Sequence, residues 1–152
     1  MKTSTRARQA VRVHLRIATC SNLLMREART RIAERWRLTL PQFDVLAELA
    51  RADRRGFTFV ELSRLLVVTS GNLTGIVDRL ERQHLVRRQP DPHDRRVVRL
   101  RLTPKGRAMT RQMLPAHARD MRQVMSFMPQ KAMARLERLL GDLRHGLHAR
   151  HT

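Results

Sequence analysis

Six arginines, Arg87, Arg88, Arg95, Arg96, Arg99 and Arg101, fall between positions 87 and 101. Guanidinium groups at that density are suited to gripping phosphate, through charge and through forked hydrogen bonds. Among them lies Gln89-Pro90-Asp91-Pro92-His93-Asp94, rich in proline and aspartate and therefore predicted to be a loop. Asp94 stands two residues before Arg96 and can hold that guanidinium in one rotamer, which lowers the entropy lost on binding. A stiff loop tipped with arginine can enter a narrow minor groove, where the negative potential is enhanced. The plainer alternative is a solvated basic hairpin whose charges only add solubility.

The segment before it offers a different chemistry. Leu73, Ile76, Val77 and Leu80 stand at i, i+3, i+4 and i+7, one face of a helix. The opposite face carries Gly71, Thr74, Gly75, Asp78, Arg79 and Arg82, with Ser70 and Asn72 near the helix start. Ser, Thr and Asn can donate and accept at base edges, and Arg can pair bidentately with guanine. The free amides of the first turn suit a phosphate. Gly71 and Gly75 each cost about 1 kcal/mol in an exposed helix relative to Ala. Close approach to a large partner is a reason to keep them. An ordinary amphipathic helix with a solvated polar face is the competing reading.

The elements that must position these residues are legible as patterns. Thr39-Leu40-Pro41-Gln42 and Thr58-Phe59-Val60-Glu61 are capping boxes. The first opens a helix carrying Phe43, Val45, Leu46 and Leu49, the second one carrying Leu62, Leu65 and Leu66. Val67-Val68-Thr69-Ser70 interrupts the pattern before the polar-faced helix. Val98, Leu100 and Leu102 alternate with Val97, Arg99 and Arg101 as in a strand, with Leu85-Val86-Arg87-Arg88 as its partner. Helix, turn, helix and two-stranded hairpin describe a winged helix-turn-helix. Outside it, a stripe from Val11 to Ile32 predicts one long helix over 6–35. Thr103-Pro104 begins another helix, which Pro115 should kink or divide. Ala132, Leu136, Leu139, Leu140, Leu143 and Leu147 mark a last helix with Pro129 in its first turn. The fold class is mainly α with a small β-hairpin wing.

Composition narrows the partners. The 152 residues fit one domain, 1–152, and carry a formal charge of +19. So large an excess calls for a polyanion. No apolar run approaches the ~20 residues that cross a bilayer, and MKTSTRARQAVRVHL has no apolar signal core, so no membrane role is expected. A single cysteine, Cys20, suits a cytoplasmic location. Glycine-rich phosphate loop, HExxH and paired-carboxylate signatures are all missing, so neither enzyme nor cofactor is expected. His145, His148 and His151 are spaced for a metal, but lie in what reads as a solvated tail; no metal is assigned. A non-specific nucleic-acid-binding or packaging protein without ligand control would also suit the charge. Aromatics at 3% leave it few platforms for stacking single-stranded bases.

LTLPQFDVLAEL, ELSRLLVVTSGNLTGIVDRLERQHLVRR and DPHDRRVVRLRLTPKG, taken in order over residues 38–106, resemble the MarR family of bacterial regulators. The resemblance implies a DNA-binding lobe over 38–103 and dimerisation helices over 6–35 and 104–150, interleaved between two copies. It implies a homodimer on double-stranded DNA, reading an inverted repeat as a repressor. The helix from Ser70 would read the major groove. The wing Asp94-Arg95-Arg96 would enter the minor groove, with Arg96 inserted and Asp94 orienting it. It also implies a small effector, such as an aromatic carboxylic acid, between the dimer helices and the DNA-binding lobe. His14, Arg16, Met25, Trp36 and Phe43 are the side chains available for it. His84 departs from the family's usual glycine, so the turn there is expected to differ in shape. Cys20 lacks the tyrosines that accompany peroxide-sensing cysteines in the family, and is expected to be buried and inert.

Overall fold

The computed structural model describes residues 5–52, 55–66, 69–91, 94 and 96–150. Val67-Val68, Pro92-His93, Arg95 and His151, all singled out above, lie outside the described residues. The chain divides into two compact units, residues 1–118 and 119–152. The first contains α1 (Thr5–Trp36), α2 (Leu40–Arg51), β1 (Phe57–Thr58), α3 (Phe59–Leu66), α4 (Ser70–Arg82), β2 (Val86–Pro90), β3 (Val98–Leu102) and most of α5 (Pro104–Val124). The second holds the end of α5 and α6 (Gln130–His148). Among the described residues no helix is long and apolar enough to cross a membrane.

Both capping boxes form. The Thr39 amide donates to Gln42 Oε1 at 2.8 Å, and the Gln42 amide returns to Thr39 Oγ1 at 3.4 Å. Thr58 and Glu61 repeat the exchange at 2.7 and 3.2 Å. Each box satisfies helix-start amides that would otherwise lack a partner. The core beneath them joins Val45 and Leu46 of α2, Leu62 of α3, Leu73, Val77 and Leu80 of α4, and Leu100 of β3, all fully buried. Leu65 departs from the expected face: it is 53% exposed, because Leu62 and Leu66, four apart, hold the inward side of so short a helix.

The sheet has three strands in the order β1-β3-β2, not the expected two. Two-residue β1 is created by its pairing, Phe57 with Leu100 and Thr58 with Arg99. β2 also runs further than expected, through Gln89 and Pro90, residues assigned above to the loop. Pro90 faces Val98 on an edge strand, where a missing N–H is tolerated.

The LTPKG segment locks the base of the hairpin to α5. Thr103 Oγ1 donates to the His84 carbonyl at 2.6 Å and accepts from the Gly106 amide at 3.0 Å. A Cβ on Gly106 would lie 2.0 Å from the Leu85 carbonyl oxygen, so only glycine lets the helix approach this closely. His84 adopts φ 58°, the left-handed conformation that glycine would take more cheaply. α5 is not divided at Pro115. That residue is exposed, so water can reach the carbonyl its missing N–H leaves free.

Flanking helices differ from this core. On α1 only Ala28 and Ile32 are buried, and Val11, Leu15 and Leu23 are 57%, 57% and 49% exposed. Cys20 is exposed in the single chain, contrary to expectation, because it lies in a stretch of α1, residues 5–23, whose every residue is exposed. In the second unit α6 buries no residue, and Leu139, Leu140, Leu143 and Leu147 are all exposed.

Candidate nucleic-acid interface

α4 begins with a side-chain cap: Thr69 accepts from the Asn72 amide at 3.4 Å. Its inner face is buried, with Leu73, Val77 and Leu80 at 0% exposure. Outward, Gly71, Asn72, Thr74, Gly75, Arg79 and Arg82 are all exposed. Ser70 is the first residue of the helix. A Cβ on either Gly71 or Gly75 would meet nothing within 4 Å, so the chain's own packing does not require glycine there. Arg82 curls back, its Nε donating to the Asp78 carbonyl at 3.4 Å.

The wing tip is built around one carboxylate. Asp94 accepts from the Arg96 amide at 3.0 Å, from its Nε at 3.1 Å and, through the second oxygen, from Nη2 at 3.2 Å. These bonds hold the Asp94 carboxyl below its usual pKa, the side-chain bond contributing most. Arg96 is nonetheless 91% exposed, so the guanidinium is oriented without being covered. Backbone bonds close the loop, from the Asp91 amide to the Val97 carbonyl at 2.8 Å and from Val97 to Asp94 at 2.9 Å.

The six arginines do different work. Arg88 reaches from β2 to α4, donating through Nη2 to Asp78 at 2.6 Å and through Nη1 to Glu81. Its guanidinium also lies 5.4 Å from the Phe59 ring centroid. The Asp78 hydrogen bond leads the forces that raise its pKa, so it stays charged. Asp78, placed above on the outward polar face, is thereby committed to the wing's base. Arg99 pairs with buried Asp91 and lies 3.6 Å from Glu61. Neither Arg88 nor Arg99 is therefore a free phosphate ligand. The signal that could have shown this is the few acids, Asp78, Glu81 and Asp91, set within an otherwise basic stretch.

The residues expected to hold an effector are spread out. His14, Arg16 and Met25 are exposed on α1, Trp36 is half-buried at its end, and Phe43 is buried on α2. The Phe43 ring lies 4.6 Å from that of His117 at a 55° tilt. The helical rise alone separates His14 from Trp36 by about 33 Å, so no single small molecule reaches both within one chain.

Comparison with known proteins agrees with this architecture. Residues 38–97 match the sequence model of the MarR family. The chain is similar to the HTH-type transcriptional regulator PecS of Dickeya dadantii, 30% identical over 124 residues covering 79% of this chain and 73% of that one. Its fold is similar to that of a mutant MarR from E. coli complexed with operator DNA, with TM-score 0.78, 27% identity and coverage of 92% and 99% of the two chains. It is also similar to Sco3205, a MarR family transcriptional regulator from Streptomyces coelicolor in complex with DNA, with TM-score 0.79, 25% identity and coverage of 95% and 93%. With its capped helix pair, its three-stranded wing and its braced Arg96, the chain belongs to the MarR family of transcriptional regulators.

Proposed function

We propose that this chain is a sequence-specific DNA-binding repressor that reads an inverted-repeat operator as a homodimer and is released by a small organic acid. The observation that carries the reading is the exposed polar face of α4 together with a wing-tip Arg96 that is braced by Asp94 yet 91% exposed. α4 takes the major groove, with Asn72, Thr74, Arg79 and Arg82 at base edges or phosphates. Arg96, with Arg95 beside it, takes the minor groove. Phosphate contacts supply much of the affinity and make it strongly salt-dependent.

The homodimer is supported by the exposed apolar residues of α1 and of α6, which a second copy would cover. Two α4 helices about 34 Å apart then meet successive major grooves on one side of the duplex. An effector such as an aromatic carboxylic acid regulates by favouring one spacing of the two lobes. Arg16 and His14 could pair with its carboxylate, and Met25, Trp36 or Phe43 could pack on its ring. The protein works in the cytoplasm on this reading, where its DNA lies.

Binding-site selection from a pool of random duplex tests the proposal. The enriched sequences should be inverted repeats bound ~10³-fold or more above random duplex at fixed salt. A pool that yields no motif would instead mark the +19 chain as a non-specific packaging protein.

A further inference from the structure

The first unit holds a second concentration of positive charge, away from the hairpin tip. The end of α2, the turn at Gly56, strands β2 and β3 and the first half of α5 surround an open cleft of about 720 Å³. That size suits a small organic molecule. Leu49, Leu102, Leu114 and Pro115 give it an apolar floor, and Arg87, Arg101, Arg107 and Arg111 are the charged side chains among the rest of its lining.

The arginines are set against one another. Arg87 and Arg101 are direct cross-strand partners, an arrangement in which like charges destabilise a sheet. Arg107 and Arg111 are four apart on α5, where like charges destabilise a helix. None of the four pairs with a carboxylate among the described residues. Two are fixed by neutral acceptors instead. Arg101 donates to the Arg55 carbonyl at 3.2 Å and to Gln89 Oε1 at 3.3 Å, and Arg107 donates to the Leu102 carbonyl at 2.8 Å. Such bonds orient a guanidinium without cancelling its charge. Arg88 and Arg99 of the same sheet, by contrast, each face two carboxylates. Gly56, at φ 70°, lets its turn lie against this wall: a Cβ there would stand 2.3 Å from the Leu100 carbonyl oxygen and 2.8 Å from Arg101 Cγ.

We propose that this cleft binds a small organic dianion, its phosphate-class head on the four arginines and its apolar body on the Leu102–Leu114 floor. The head relieves two like-charge pairs at once, and the floor selects a molecule with a hydrophobic body over a bare anion. The site shares no residue with the outward face of α4 or with Arg96, so it stands whether or not those residues read DNA.

Calorimetric titration of the full chain without DNA, at constant ionic strength, tests it. The probes are 1-naphthyl phosphate, inorganic phosphate and 1-naphthol. 1-Naphthyl phosphate should bind once per chain and at least tenfold more tightly than either of the others. Arg87→Gln with Arg111→Gln should weaken it at least tenfold, and the single Arg111→Gln by a smaller factor. Neither side chain makes a hydrogen bond among the described residues, so the thermal melt should not fall. The proposal is overturned by equal affinity for inorganic and naphthyl phosphate, by unchanged affinity in the double variant, or by absence of binding. Loss of duplex affinity in the double variant without any naphthyl phosphate binding would assign these arginines to the DNA backbone, and likewise overturns it.

Discussion

Two leucine-rich helices of this chain have the same periodicity and opposite fates. On α4 the stripe Leu73, Ile76, Val77 and Leu80 is buried against α2, α3 and the sheet. On α6 the stripe Leu139, Leu140, Leu143 and Leu147 is exposed, as are Val11, Leu15 and Leu23 on α1. The lesson is that spacing reveals which face of a helix must be covered, not whose surface covers it. The lobe from α2 to β3 closes its core within one chain. The flanking helices each leave a row of large apolar side chains exposed.

The strongest way to break this contrast is to charge one exposed stripe. Leu143→Glu should raise the dissociation constant of the proposed dimer about 100-fold, since a leucine covered by a second copy would contribute ~1.5–3 kcal/mol and the substitution enters twice. Sedimentation would read it, and the circular dichroism of the lobe should be preserved. Next, Arg96→Ala should weaken operator binding by about 10- to 100-fold, the scale of ~1–3 kcal/mol for a groove contact, with an unchanged melt. Equal affinity of wild type and variant at fixed salt would remove the wing from the interface.

A smaller effect separates packing from function on α4. Gly75→Ala should raise the melting temperature by about 2–4 °C, because helix propensity gains ~1 kcal/mol and nothing lies in the way. Operator affinity should fall in the same variant if the bare backbone serves close approach. A stabler protein that binds just as well would leave Gly75 without that role.

The smallest expected effect lies at a half-buried carboxyl on α2. Burial, and secondly Glu48, raise the Asp44 pKa above its ordinary 3.8. The native chain therefore holds this proton more tightly than the unfolded chain, and stability falls as pH rises from 3.8 through the raised value. Asp44→Asn should melt slightly higher than wild type at neutral pH, and the difference should vanish below pH 3.8.

Much of this was legible in the sequence because it is local. Thr39 with Gln42 and Thr58 with Glu61 announce their helices, the α4 stripe announces its buried face, and Asp94 two residues before Arg96 announces the brace. What escaped was tertiary. β1 exists only because Phe57 and Thr58 find β3. Pro90 is a strand residue only because β2 is an edge. Arg88 and Arg99 look like phosphate ligands until the fold brings Asp78, Glu81, Asp91 and Glu61 to them. Leu65 and Cys20 were expected inside because composition does not say which helix faces the single chain leaves open.

On the proposed reading, a second copy of the chain covers what one chain leaves exposed. Sedimentation equilibrium at the concentrations where the protein binds duplex tests that most directly. The predicted result is a species of twice the 17.8 kDa chain mass in the absence of DNA. A 17.8 kDa particle that remains folded and soluble and binds its selected site with full affinity would contradict it.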